Sequence, residues 1–562
     1  MSERDRQHAE KREKIWIFER DYSRREVLRT AGAAGFAAGL GGLLAACGGG
    51  DEGDEAAPAT TEAAATTEAA ATDAAATTQA AGTPKTGGRL RVGHVGGGEA
   101  ESFNPARGSS FIDASRFFNL YDPLVRVAPD LSIEPGLALE WIPSPDATLW
   151  EVKLRPDVVW HDGKSFTADD VIYTLRTMAD PKHTGHSKVA NIKLDELKKA
   201  DDLTLQIPLK GPNARLFDSF TLFQTVIVQD GATDFSNPVG TGAFMYDSFT
   251  AGERSLGQKN PNYWDEGKPY VDEWEDISIT DDAARLNALL AGEIDAMSQM
   301  QYAQAKAQQE QGQIQVINAP SSSIQVILMA VDIEPFSDPN VRKAFRLIAD
   351  RQALVDGALS GFGTVANDLA GQGLPYFAED LPAREQDIEQ AKALLQQAGK
   401  EDLSVTLHTS TIVPGFVEVA TIFAQQAKEA GVDVQIKKED PNSYFDTSLL
   451  YTKLDFAQSF WTVTSLGQWY EEALLSDAVW NETHWRDPEF DKLIQSAQGA
   501  TDEQSATDLW HQVQEIQYED GGYIVWANVN TVDAVANNLQ GVEPSAFFNL
   551  SGWAYRNFWF DE

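Results

Sequence analysis

Cysteine is nearly absent from this chain: one residue in 562, Cys47. That excludes a disulfide-stapled scaffold and a structural zinc site built on cysteines. Positive charge is also scarce, with 45 Lys+Arg against 85 Asp+Glu and a net charge of −40. A nucleic-acid contact surface needs concentrated positive charge, so that class of partner is excluded. No run of 18 or more apolar residues occurs, so no ordinary membrane-crossing helix is expected. The His-Glu-x-x-His, Gly-x-Ser-x-Gly and Gly-x-x-x-x-Gly-Lys motifs are missing as well, which removes common metalloprotease, esterase and phosphate-loop chemistries. An acidic hydrolase with paired carboxylates survives as the enzyme alternative, but on the abundance of acids alone. His484, between Thr483 and Trp485, is a lone histidine and predicts neither a nickel site nor another metal. No cofactor is expected. What the chain does have is 42% hydrophobic and 10% aromatic residues, enough for a sizeable core. Its length suits two to four domains or two large lobes.

The first 46 residues read as an address rather than as fold. Ser23-Arg24-Arg25-Glu26-Val27-Leu28-Arg29 resembles the twin-arginine signal of the Tat translocon; a general secretory signal is the alternative. Ala31 to Ala46 contains only Ala, Gly, Leu and one Phe, too short and Gly-rich for a stable spanning helix. It ends in Leu44-Ala45-Ala46-Cys47, which resembles the lipobox of bacterial lipoproteins, so Cys47 is expected to become a lipidated N-terminus. Of the 39 residues 48–86, 28 are Ala, Thr or Gly. They read as a flexible tether that would span about 35 Å root-mean-square as a coil. Residues 1–46 hold 9 Lys+Arg and 7 Asp+Glu, so the part beyond them carries −42.

From Gly87 onward strand-like and helical runs alternate, which predicts an α/β body. Arg89–His94, Glu151–Arg155 and Leu203–Ile207 read as strands. Thr167, Asp338 and Asp387 read as helix caps, and Phe416–Ala430 as a helix stopped by Gly431 before the strand Val432–Ile436.

Over most of 87–562 the chain resembles the extracytoplasmic solute-binding proteins of ABC transporters, family 5, the peptide, dipeptide and nickel type. The motifs that carry this are Ser102-Phe103-Asn104-Pro105, Leu120-Tyr121-Asp122-Pro123-Leu124-Val125, and the stretch from Leu154-Arg155-Pro156 through Trp160-His161-Asp162-Gly163 to Asp169-Asp170-Val171. Further on come Asn237-Pro238-Val239-Gly240-Thr241-Gly242, Asn260-Pro261-Asn262-Tyr263-Trp264, Ala291-Gly292-Glu293-Ile294-Asp295-Ala296, Pro335 to Ala344, Ile348 to Arg351, and Asp487 to Leu493. The resemblance implies a periplasmic-binding-protein-like two-lobe fold of the cluster C type, with mixed sheets and a two-strand hinge. It divides the chain into a signal (1–46), Cys47 and tether (47–86), lobe I (87–325), lobe II (326–525) and a C-terminal return to lobe I (526–562). The crossings are expected at Ser321–Val331 and Tyr523–Asn530. Asp162-Gly163 and Gly240-Thr241-Gly242 read as architecture rather than site.

The resemblance further implies a monomer held on the extracytoplasmic side of the membrane through Cys47, passing a peptide-like solute to a permease and its ATPase. It places Ser109, Ser110 and Phe111 in the cleft from lobe I, and Trp461, Thr462, Val463 and Thr464 from lobe II. In peptide-binding members an Asp three residues after the Trp holds the ligand's α-ammonium; here that position is Thr464. Glu471 or Glu472 could substitute. The missing acid, with the aromatics Trp461, Trp469, Tyr470, Trp480 and Trp485, keeps an oligosaccharide or other polar solute open as the alternative. A sensor-linked receptor built on the same body is a further alternative.

Overall fold

Short-range chemistry places the helices. Asp338 caps the helix Pro339–Ile348 by accepting the Asn340 N–H, and Pro339 occupies the first turn, where its missing donor is not needed. Asp387 caps Ile388–Gln397 through the Gln390 N–H. Thr167 opens Ala168–Thr177, its own N–H bonded to the Asp170 carboxylate at 2.8 Å. Phe416–Glu429 is followed by Gly431 at φ 84°, a left-handed position that glycine takes without strain, and then by the strand Asp433–Lys438.

The computed structural model describes residues 82–561, apart from 96–97, 109, 129–130, 411–412, 441–443, 446–448 and 479. The signal, Cys47, tether residues 48–81 and Ser109 therefore lie outside the described residues. Three larger sheets carry the fold. A seven-stranded mixed sheet runs in the order Gln315–Ala319, Thr531–Val535, Ala296–Met297, Arg89–His94, Glu273–Ser278, Arg254–Lys259, Phe244–Thr250. A six-stranded mixed sheet runs Gly363–Val365, Tyr523–Val529, Ser323–Met329, Phe456–Thr462, Ser404–Thr409, Asp433–Lys438. A four-stranded antiparallel sheet, Ala138–Pro143, Leu149–Leu154, Thr204–Pro208, Lys198–Asp201, has its own apolar core around Trp150, Trp160 and Phe217.

The apolar runs read as hinge strands have a different reason for their composition. Ser323–Met329 and Tyr523–Val529 pair with each other in the middle of the six-stranded sheet. Ile324, Val326 and Leu328 enter the core on one face, while Ile327 and Met329 enter the core on the other. Tyr523 and Val525 alternate with Ile524 and Trp526 in the same way. A strand covered on both faces is apolar throughout, so burial within one sheet, rather than between lobes, explains the composition. The chain passes between the two large sheets in residues 320–322 and at Asn530, just outside these strands. The two passages are tied together: Ser321 Oγ donates to the Val529 carbonyl at 2.5 Å, and Asn530 Nδ2 donates to Asn318 Oδ1 at 2.7 Å.

Several of the recurring motifs meet at one buried carboxylate. Asp122 accepts from Arg126 Nη2 at 2.8 Å, Thr241 Oγ1 at 3.1 Å, Tyr263 OH at 3.2 Å and Trp264 Nε1 at 2.9 Å. The loop carrying Thr241 is pressed against the preceding helix, and a β-carbon on Gly240 would lie 1.8 Å from the Leu120 carbonyl oxygen. His161 clamps the same loop: its N–H donates to the Gly240 carbonyl, its Nδ1 accepts the Gly240 N–H at 3.1 Å, and its Nε2 donates to the Gly242 carbonyl at 3.1 Å. That pattern requires the neutral ring, and burial lowers its pKa accordingly. This is framework, as the sequence suggested for Gly240-Thr241-Gly242.

Candidate functional site between the two lobes

A pocket of about 470 Å³, its open mouth included, is lined by segments that are far apart in the sequence. The six-stranded side contributes Leu374, Pro375 and Tyr376 from a loop, Trp510 from the helix Glu503–Asp520, and Thr464 to Gly467. Thr464 follows the strand Phe456–Thr462, and Ser465 turns the chain into the helix Leu466–Ala473 by accepting the Gln468 N–H. The opposite side contributes Val127, Leu131 and Ile133 from a short hairpin, Phe547 from the C-terminal segment, and Arg215, Asp218 and Thr221 at a 3₁₀ turn.

The walls are mainly apolar and the polar groups satisfy one another. Arg215 Nε lies 3.0 Å from Asp218 Oδ2, and its guanidinium sits 5.4 Å from the Tyr376 ring centre across the cleft. Burial raises the Asp218 pKa, and Arg215 opposes this. The Tyr376 hydroxyl donates to Glu503 at 3.0 Å. At Thr464 both the N–H, at 3.0 Å, and Oγ1 donate to Gln468 Oε1. Gln468 Nε2 donates in turn to Glu472 at 3.0 Å, and Glu472 meets Lys188 from the opposite lobe at 3.3 Å. The neighbouring Glu471 has its pKa raised, mainly by burial. A backbone bond from the Ala214 N–H to the Gln498 carbonyl, 2.7 Å, joins the lobes beside this chain.

The expected site residues fall in different places. Thr464 lines the pocket. Thr462 is exposed at the end of its strand, and Val463 is buried in the core beneath. Trp461 is only 5% exposed, and its indole N–H donates to the fully buried Glu482 at 2.8 Å. Ser110 is the N-cap of Phe111–Leu120, in a capping box with Asp113. Phe111 is half-buried against Phe548 and Trp553, each 6.4 Å away. The Phe548 ring lies tilted against Phe547, 4.2 Å between centres, so Phe111 reaches the pocket through one intervening ring. Arg215, Asp218, Tyr376 and Phe547 carry no sequence signal that would have singled them out.

The aromatic cluster does not form a sugar-stacking platform. Trp461 and Trp469 pack edge to face at 5.0 Å, Trp469 meets Tyr523 at 5.5 Å, Tyr470 meets Trp510 at 5.6 Å, and Trp485 stacks on Phe490 at 4.6 Å. Apart from Trp510, which lines the pocket, these rings fill the core behind the cleft, which removes that support for an oligosaccharide. His484 pairs with Asp332 at 2.7 Å, and among the described residues no group of three or more His, Cys, Asp or Glu could hold a metal ion. Ser298, His94 and Asp276 are linked in the order of a catalytic triad, at 3.0 and 2.8 Å. All three are 0% exposed inside lobe I, where no substrate reaches them, and Tyr555 and Ser115 complete the network.

Comparison with known proteins identifies the family and the fold. The sequence model described as "Bacterial extracellular solute-binding proteins, family 5 Middle" matches residues 132–472. The glutathione-binding protein GsiB of Pectobacterium atrosepticum is 25% identical over 451 residues, covering 77% of this chain and 88% of GsiB. The dipeptide-binding protein DppE of Bacillus subtilis is 24% identical over 501 residues, covering 82% and 90%. Among solved structures, HbpA2 from Haemophilus parasuis superposes with a TM-score of 0.75 at 21% identity, covering 84% of this chain and 100% of that one.

Proposed function

Because the chain belongs to the bacterial extracellular solute-binding proteins of family 5, a family of binding proteins rather than enzymes, we propose that it captures a peptide-like solute between its lobes and delivers it to an ABC importer. The observation that carries this reading is the pocket at Thr464, whose walls come from both lobes while the chain passes between the large sheets at two tied points. A solute that touches both walls stabilises the closed arrangement by its differential contacts, and a hinge this narrow offers little resistance. In this proposal lobe I ends near residue 320, lobe II runs to about 529, and the C-terminal segment completes lobe I. Phe111 stands behind the cleft's lobe I side, one ring away from the pocket-lining Phe547; Thr464 is the lobe II contact, with Trp461 and Val463 as its backing. Family 5 proteins work outside the cytoplasm. We place this one on the membrane through a lipidated Cys47, because Leu44-Ala45-Ala46-Cys47 resembles a lipobox and the strongly acidic net charge opposes attraction to anionic lipid. The peptide class is supported by what the relatives named above bind, glutathione and dipeptides.

Mass spectrometry of solute carried through purification, with small-angle scattering before and after its removal, tests the reading. A peptide-like ligand whose loss opens the lobes is expected. A carried oligosaccharide, or no change of shape with any solute from a broad panel, would overturn it.

A further inference from the structure

Resting on the reading of the cleft as the solute site, we propose that the solute presents an uncharged apolar group to the pocket at Thr464, which assigns it to the amine-blocked peptide-like class rather than to peptides with a free α-ammonium. Charge arithmetic leads to this. Among the described residues Asp218 is the one carboxylate lining the pocket, and Arg215 already holds it at 3.0 Å. An incoming ammonium would have to compete with that guanidinium and sit beside its positive charge. The acceptors beside Thr464 are engaged as well, and the neighbouring Glu471, hydrogen-bonded to Gln498, is disfavoured as a carboxylate by its burial. Gln468 Oε1 takes both donors of Thr464, while Glu472 is held by Gln468 Nε2 on one oxygen and by Lys188 on the other. A desolvated ammonium without a carboxylate or several free acceptors is strongly disfavoured. The surfaces left to contact are Leu131, Leu374, Leu466, Trp510 and Phe547, which favour an aliphatic or aromatic group. Arg215, Asp218 and Thr464 then act as specificity determinants, by being mutually satisfied or uncharged.

The test is calorimetric titration of the purified full-length protein, cleared of carried ligand, with Leu-Leu-Leu, with N-acetyl-Leu-Leu-Leu and with cellotriose. The acetylated tripeptide is expected to bind at least about tenfold more tightly than the free-amine form. In Thr464→Asp, which adds a carboxylate beside the pocket, that preference should shrink or reverse. Equal or tighter binding of the free-amine peptide by the wild type would overturn this inference and leave the peptide-capture reading standing. Preference for cellotriose would overturn both. Should none of the three bind at millimolar concentration, the inference fails, and the capture reading is judged separately by the mass spectrometry above. If Thr464→Asp does not fold, the wild-type ratio alone decides.

Discussion

Removing the carboxylate of Glu482 should destabilise lobe II more than its place among 85 acids suggests. Glu482 is fully buried and accepts from Trp461 Nε1 at 2.8 Å, Tyr523 OH at 3.1 Å and Ser459 Oγ at 3.0 Å. Hydrogen bonds to a charged acceptor contribute roughly 1.5–3 kcal/mol each. In Glu482→Leu all three are lost. Against that stands relief from burying the carboxylate, which amounts to several kcal/mol. The balance is a loss of about 3–5 kcal/mol, because three buried neutral donors are left without an acceptor at roughly 1–3 kcal/mol each. Glu482→Gln should cost far less, at most about 1–2 kcal/mol, because its amide oxygen can accept the indole N–H while the two hydroxyls reorient. Urea denaturation followed by tryptophan fluorescence and near-UV dichroism measures both variants. Because Glu482 links the strand leading to Thr464 with the return strand Tyr523–Val529, Glu482→Leu should also weaken solute binding at temperatures where it stays folded. A Leu variant within 1 kcal/mol of wild type, or a Gln variant as damaged as the Leu one, would refute the reasoning.

Three further outcomes are expected. Gly240→Ala, with its β-carbon 1.8 Å from the Leu120 carbonyl oxygen, forces apart backbone that cannot yield; a loss of at least about 3 kcal/mol in thermal or urea unfolding is predicted, while Gly163→Ala, which meets no atom within 4 Å but has φ 83°, should cost only about 1 kcal/mol. Burial lowers the His183 pKa to about 4, opposed by Asp180 and reinforced by His186, and His183 Nδ1 accepts the Gly185 N–H. The unfolded chain binds this proton below about pH 6.5 and the folded one does not, so its contribution is intact above pH 6.5 and is lost as the pH falls to 4. Relative to His183→Asn, the wild type should therefore lose about 2–3 kcal/mol between pH 7 and pH 4.5 in denaturation curves, and parallel curves would contradict the assignment. Arg346 is buried at the carboxyl end of the helix Glu503–Asp520, where its guanidinium donates to the Tyr518, Glu519 and Tyr523 carbonyls; Arg346→Met should cost about 3 kcal/mol, read as faster amide exchange at that helix end.

Features decided by neighbours in sequence were legible before the structure. Helix caps at Thr167, Asp338 and Asp387, and the Gly431 stop, need only a side chain within three residues of its partner. Ser110-Phe111-Ile112-Asp113 has the same capping spacing, and reading it would have given Ser110 its structural role at once. The apolar strands were also legible, but not what covers them; a central strand of a sheet covered on both faces and a strand between two lobes have the same composition. The pocket was the least legible part. Arg215 meets Tyr376 from 161 positions away, and Glu482 meets Trp461 only because a loop folds back beneath the strand. Such pairings depend on tertiary register, which leaves no local pattern. The family motifs mark framework more than site, as their convergence on Asp122 illustrates.

The interior place of Thr531–Val535 in the seven-stranded sheet bears on how the molecule is made. That strand lies between Gln315–Ala319 and Ala296–Met297, and Trp553 and Tyr555 beyond it are fully buried in the same lobe. During synthesis the amino-terminal lobe must therefore wait, with open strand edges, until Thr531–Val535 and the segment through Tyr555 emerge, while the inserted lobe can complete its own sheet as soon as Tyr523–Val529 is available. A chain that stops short of residue 531 would carry a finished second lobe on an unfinished first one, and the unfinished sheet would be the part exposed to aggregation and proteolysis.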